Sequence, residues 1–132
     1  MFVLDTAARK MTVVLAGAKA TKDCPIFVGY LDSTPGQTDD YGVNIVKTNG
    51  VTAVDLVQQA EAAKHRIIKM ISLYNEDTAA VTAIFSYVGG PVTPVVVAKF
   101  TLATLETLTY IEGQGWVKND VNGGRVHNAT AA

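Results

Sequence analysis

The chain reads as short apolar runs rich in Val, Ile, Thr and Tyr, separated by clusters of Gly, Asn, Asp and Pro. Such runs suit a pleated, half-buried surface and such clusters supply turns, so the pattern predicts strands. A first run covers residues 11–16, and a polar break follows at 18–23. Pro25 has no N–H to give a ladder, which places it at the start of the second run, residues 26–32. Residues 33–41 are almost wholly polar around the Pro35-Gly36 pair and read as the most exposed loop. Asn49-Gly50 lies between runs at 42–47 and 51–57 and predicts a tight hairpin, because both turn residues favour positive φ. Helix competes only at residues 55–64, where Leu56, Ala60 and Ala63 share helical spacing. A strand ending near Val57 and a turn or single helical turn at 60–64 are expected there.

The second half is more regular. Residues 67–74 are apolar on both faces, Ile67, Ile71 and Leu73 against Ile68 and Met70, as expected of a strand in the middle of a sheet or under a partner. Residues 81–88 alternate, with Val81, Ala83, Phe85 and Tyr87 opposed to Thr82 and Ser86. Further runs are expected at 95–100 and at 105–111, the latter with Leu108 and Tyr110 inward and Thr107 and Thr109 outward. Gly113-Gln114-Gly115 closes a last hairpin onto residues 116–118. The expected fold is all-β: one antiparallel β-sandwich or jelly-roll-like domain of about eight short strands with little or no helix. Residues 1–8 and 119–132 are expected to be flexible arms.

Composition narrows the function. With 48% hydrophobic and 17% charged residues, the chain can build a core and carries fewer charges than a free monomer usually displays. That is what a surface partly covered by partners would look like. Eleven basic and twelve acidic residues are spread evenly, so no basic stripe supports nucleic-acid binding. No apolar run approaches the roughly 20 residues of a membrane-spanning helix. The start meets Asp5 too early to read as a secretory signal, and Cys24 alone permits neither an internal disulfide nor a cysteine-rich zinc site. A protein made in a reducing cytoplasm is expected.

Candidate chemistry is sparse. His65 and His127 are the only histidines and neither lies in a nucleophile or metal motif, so no catalytic residue, cofactor or metal site is expected. Cys24 reads as an inert, partly buried thiol. Asp39-Asp40 and Glu76-Asp77 read as solvated turn carboxylates, able to form a weak cation site only if their loops share one end of the sandwich. No helix follows Gly113-Gln114-Gly115, which therefore lacks the setting of a phosphate loop. Trp116 and Tyr110 are expected to be core anchors, with a sugar-binding platform as the alternative. The Asn128-Ala129-Thr130 sequon matters only in a secretory pathway.

Several segments carry a resemblance: Leu4-Asp5-Thr6, Val14-Leu15-Ala16-Gly17-Ala18, Thr48-Asn49-Gly50-Val51-Thr52-Ala53-Val54, and residues 71–84 from Ile71-Ser72-Leu73-Tyr74 through Asn75-Glu76-Asp77-Thr78. Downstream come Lys99-Phe100-Thr101-Leu102, Leu105-Glu106-Thr107-Leu108-Thr109-Tyr110 and Gly113-Gln114-Gly115-Trp116. In this order and spacing, from Leu4 to Trp116, the chain resembles small β-sandwich virion structural proteins of tailed bacteriophages. The resemblance implies a non-enzymatic capsid decoration (cement) protein that binds the phage major capsid protein as a homo-oligomer, a trimer before a dimer. The virion surface is its implied location. A tail, neck or head-fibre attachment protein is the alternative within that class, and a carbohydrate-binding module the alternative outside it. Apolar character and position near the termini nominate Phe2, Val3, Leu4, Tyr41, Trp116, Val121 and Val126 as contact residues.

Overall fold

A computed structural model describes residues 2–5, 8–57, 64–91 and 93–126. Ten strands are named in chain order: β1 (Phe2–Leu4), β2 (Lys10–Leu15), β3 (Pro25–Ser33), β4 (Asp40–Lys47), β5 (Val54–Asp55), β6 (His65–Tyr74), β7 (Val81–Val88), β8 (Val95–Leu102), β9 (Thr107–Ile111) and β10 (Gly115–Asn119). Among the described residues there is no helix. A six-stranded sheet runs β10-β9-β6-β3-β4, with β1 also on β6, and a four-stranded sheet runs β5-β2-β7-β8. Every pairing is antiparallel. The expected all-β sandwich is the fold, and its sheets divide six and four.

Alternation builds the core. Ile26, Val28, Ile68, Ile71, Leu73, Leu108 and Tyr110 from the large sheet meet Met11, Val13, Leu15, Ala83, Phe85 and Leu102 from the small one in a single buried cluster. Full burial of each Leu, Ile or Phe side chain contributes about 1.5–3 kcal/mol. Leu108 and Tyr110 point inward as their spacing predicts, and β6 lies between β3 on one side and β9 and β1 on the other. At one side of the core, Trp116 stacks at a tilt against Phe85 and Tyr110, with ring centroids 4.8 and 5.1 Å away, and against Phe100 at 5.5 Å. Phe2 joins the same group, 4.8 Å from Tyr110.

Three expectations are corrected. The first concerns β6, whose ladder with β3 shifts between Gly29 and Tyr30, leaving Lys69 as the extra residue of a β-bulge. Beyond the bulge the facing inverts, so Ile68, and not Ile67, shares the core with Ile71 and Leu73. The second concerns Asn49-Gly50, which forms a turn, with Thr52 N–H donating to Asn49 O at 3.0 Å and Gly50 at φ 54°, but joins no hairpin. β4 belongs to one sheet and β5 to the other, so the turn carries the chain across the end of the sandwich. Of the expected 51–57 strand only Val54–Asp55 forms a strand, Leu56 N–H still bonds Met11 O at 2.9 Å, and Leu56 and Val57 are buried as core plugs. The third is the N-terminal arm. Phe2, Val3 and Leu4 pair with Ile68, Ile67 and Arg66, Leu4 is wholly buried, and the Tyr87 hydroxyl donates to Val3 O. An arm this apolar gains more by completing the sheet than by staying in water.

At the other terminus, residues 119–126 fold back on β10. Val126 N–H donates to Lys118 O at 2.7 Å, and Asn119 bridges Arg125. The expected turn at 60–64 lies outside the described residues except for Lys64, as does the rest of the expected C-terminal arm from 127 onward.

Candidate functional site

Two regions have the chemistry to matter: a cluster of buried polar side chains at one end of the sandwich, and the outer face of the large sheet. The first is built on the turn after β6. Asn75 is fully buried, and its amide nitrogen lies 3.1 Å from the carbonyl oxygens of Ala79, Leu102 and Ala103. Its Oδ1 accepts from Asp77 N–H at 3.0 Å and from the Cys24 thiol at 3.8 Å. Its main chain bonds Glu106 O and Leu105 N–H, which holds Leu105 at φ 66°, where leucine is strained.

Asp77, 1% exposed, turns its carboxylate onto the chain before β3. It accepts from the N–H groups of Ala20, Thr21 and Thr78 at 2.8 Å each, from Lys22 N–H at 3.2 Å and from Thr21 Oγ1 at 2.9 Å. Burial pushes this carboxyl up, but the four amides outweigh it and hold it far below the usual carboxylate range. Asp23 does the same work next door, accepting from Thr48 Oγ1 at 3.0 Å, Gly50 N–H at 2.8 Å and Lys19 Nζ at 2.7 Å. Its carboxyl too is lowered, burial opposing and Lys19, Gly50 and Thr48 prevailing. Burial pushes the Cys24 thiol up to about 11, so at neutral pH it is a protonated thiol and a poor nucleophile.

Among the described residues, no buried side-chain polar atom lacks a partner. The cluster's hydrogen bonds run within the chain, and they knot the loops at 18–24, 48–50, 75–79 and 102–106 together. Asp77 is thus a buried structural group, contrary to the expected solvated turn carboxylate. Nor do the two acidic pairs meet. Asp40 lies opposite Asp32 at the far end of β3, whereas Asp77 grips residues just before its start. Nine residues of strand separate them, about 25–30 Å. Among the described residues, no three His, Cys, Asp or Glu side chains converge as a metal site. No described helix is long and apolar enough to cross a membrane.

The outer face of the large sheet is the reverse case. Tyr41, Val43 and Ile45 on β4 are 77%, 56% and 73% exposed. Register aligns Ile45 with Phe27 of β3, and Phe27 with Ser72 of β6, two residues from Tyr74. Phe27, Tyr74 and Ile111 are exposed as well, so an apolar band crosses four strands. A shallow hollow of about 250 Å³ opens in it, walled by Pro25, Phe27, Ile45, Ser72 and Tyr74. Monomeric proteins rarely leave a contiguous face of this kind in water.

The seven nominated contact residues are not brought together. Phe2, Leu4 and Trp116 are core residues, claimed by the aromatic group and by β1 pairing. Val3 is half-buried, Val126 is half-buried against β10, and Val121 is exposed on the turn after β10. Tyr41 lies on the apolar outer face, and Val3 is in the same outward row through Ile67 and Leu31. The residues missed, Val43, Ile45 and Phe27, carried a signal: outward positions of strands filled with large apolar groups. Of the two residues a sugar platform would need at the surface, Tyr110 is buried in the core and Trp116 is half-buried against it.

No protein-family model matches the chain, and neither a curated protein nor a solved structure gives a match.

Proposed function

We propose that this chain is a non-enzymatic structural protein that works by binding protein: a capsid decoration (cement) protein of a tailed bacteriophage, seated on the major capsid shell and associating with its own copies. The observation that carries the binding reading is the apolar outer face of the six-stranded sheet, with Tyr41, Val43 and Ile45 in open solvent. The phage assignment is supported by the order of segments from Leu4 to Trp116 that resembles virion proteins. The knotted end of the sandwich suits a clamp, because a rigid body loses little entropy when it docks.

The experiment is quantitative mass spectrometry of gradient-purified particles of the phage that encodes the chain, with and without its coding sequence. The expected result is a fixed copy number per shell, lower heat resistance in particles lacking the protein, and recovery on adding it back. Absence from purified particles overturns the virion reading. A copy number matching tail, neck or fibre components, in place of the shell, moves the protein elsewhere on the particle.

A further inference from the structure

Exposed sheet edges are pairing templates, and proteins normally blunt them with short strands, bulges, covering segments or charges. Most edges here are blunted. β5 has two residues and β1 three. β8 is bulged beside Phe85 and Ser86, and Lys118 Nζ reaches across to Thr101 O at 3.0 Å. β10 is covered by its own chain through Val126 and Arg125. β4 differs from all four. Its eight residues pair with β3 in unbroken register and contain no proline. Among the described residues, no other main-chain group bonds to its far side.

We infer that a second copy of this chain pairs with β4 in antiparallel sense, with Val43 on the two-fold axis. A two-fold normal to the sheet keeps the outer face on one side in both copies, so outward residues must meet outward residues. With Val43 on the axis, Tyr41 lies opposite the second copy's Ile45 and Val43 opposite its own counterpart. The same register sets Asp39 against the second copy's Lys47 at each end, an exposed acid beside an exposed base. Moving the axis one residue, to Asn44, keeps an apolar pair, Val43 with Ile45, but sets Tyr41 against Lys47 and Asp39 against Asn49, which loses the Tyr41–Ile45 and Asp39–Lys47 matches.

The fit extends beyond the ladder. Tyr41, the most exposed large apolar side chain of the patch, arrives beside the second copy's Ile45, which walls the hollow containing Phe27 and Tyr74. Each copy therefore offers one knob and one hollow, as a symmetric interface requires. Nine paired positions supply roughly eight main-chain hydrogen bonds. The result is a twelve-stranded sheet, twice six, with the remaining apolar band continuous across the axis.

This inference rests on the binding reading only for the premise of self-association, and it replaces the expected trimer with a dimer. The test uses the purified full chain. Light scattering behind a sizing column should give twice 14.0 kDa. Val43→Lys, which sets two ammonium groups face to face, should weaken association about a hundredfold, leave the far-ultraviolet circular dichroism of the chain unchanged, and make its melt independent of concentration. Val43→Cys should form a covalent dimer on mild diamide oxidation, since its counterpart is directly opposite. Ile45→Cys should not, because its counterpart lies four residues along the ladder; wild-type Cys24 is buried and serves as the blank. A monomer at all concentrations, a trimer, or equal crosslinking of the two variants overturns the inference. None of these outcomes touches the particle experiment, and absence from particles leaves the dimer standing.

Discussion

The knot around Asn75 and Asp77 and the β4 face invert the usual placement of polar and apolar groups. In the knot, carboxylates and an amide are taken out of water and every one is repaid with hydrogen bonds. On β4, the side chains of Tyr41, Val43 and Ile45 stand more than half exposed in water. The first region ties the fold together, and the second is the face on which the proposed binding rests. The two adjoin at Pro25 and Tyr74 but face differently: the knot's side chains are buried, whereas those of Tyr41, Val43 and Ile45 point into water and share no hydrogen bond with it.

The largest effect is expected from Asn75→Leu. The leucine fills the space but removes the side-chain partner of the Ala79 and Leu102 carbonyls and of the Asp77 N–H, while Ala103 O keeps only Glu106 N–H. Stability should fall by about 3–5 kcal/mol, measured by urea unfolding. A loss below about 1 kcal/mol would mean the knot is ornamental.

Acid should attack the same region. Asp77 and Asp23 have folded pKa values below their unfolded value near 4, so their contribution is complete above about pH 5 and is lost as pH falls through the folded values. Asp32, lowered by its hydrogen bonds to Arg66 against the opposing effect of burial, adds to the trend. Unfolding curves from pH 7 to pH 2 should steepen in that sense for the wild type. Asp77→Asn should flatten them, and an unchanged slope would remove Asp77 from the account.

An intermediate effect is expected at Gly42, on the inward side of β4. A Cβ there would lie 2.3 Å from the Tyr30 ring, which also carries the Arg66 guanidinium 4.2 Å above its centroid. Gly42→Ala should displace Tyr30 and cost about 1–3 kcal/mol by thermal melt. The smallest effect is the sharpest contrast: Ile45→Lys, on the outward side of the same strand, should change monomer stability by less than about 0.5 kcal/mol. If it costs as much as Gly42→Ala, the outer face is part of the fold's own support and the comparison fails.

Alternation made β3, β7 and β9 legible, since Val28, Phe85 and Leu108 fall where period two puts them. It misread the first half of β6, because one extra residue at Lys69 reverses the facing and leaves no mark in composition. The Asn49-Gly50 hairpin failed for a different reason. Turn chemistry is local, whereas the direction of exit is set by Asp23, some 25 residues earlier, holding Thr48 and Gly50. The knot was half legible. Asn75-Glu76-Asp77-Thr78 announces a turn, but only the three-dimensional return of residues 20–22 turns Asp77 from a surface acid into a buried one. The apolar outer face was legible in principle, as apolar residues at alternate positions along β4, yet nothing in the sequence says which face of a strand is outward until the sheets are assembled.

The bulge at Lys69 gives β6 two reading frames. Ahead of it the strand is read by β1, and after it by β9, with Glu112 N–H closing on Lys69 O at the junction and the Lys69 and Glu112 side chains paired beside it. The extra residue is therefore punctuation: it lets two short neighbours share one side of a ten-residue strand while both keep their apolar side chains inward. Deleting that single codon would set Ile68, Ile71 and Leu73 at strict alternation on one inward face, and what would be lost is the Lys69 junction with Glu112.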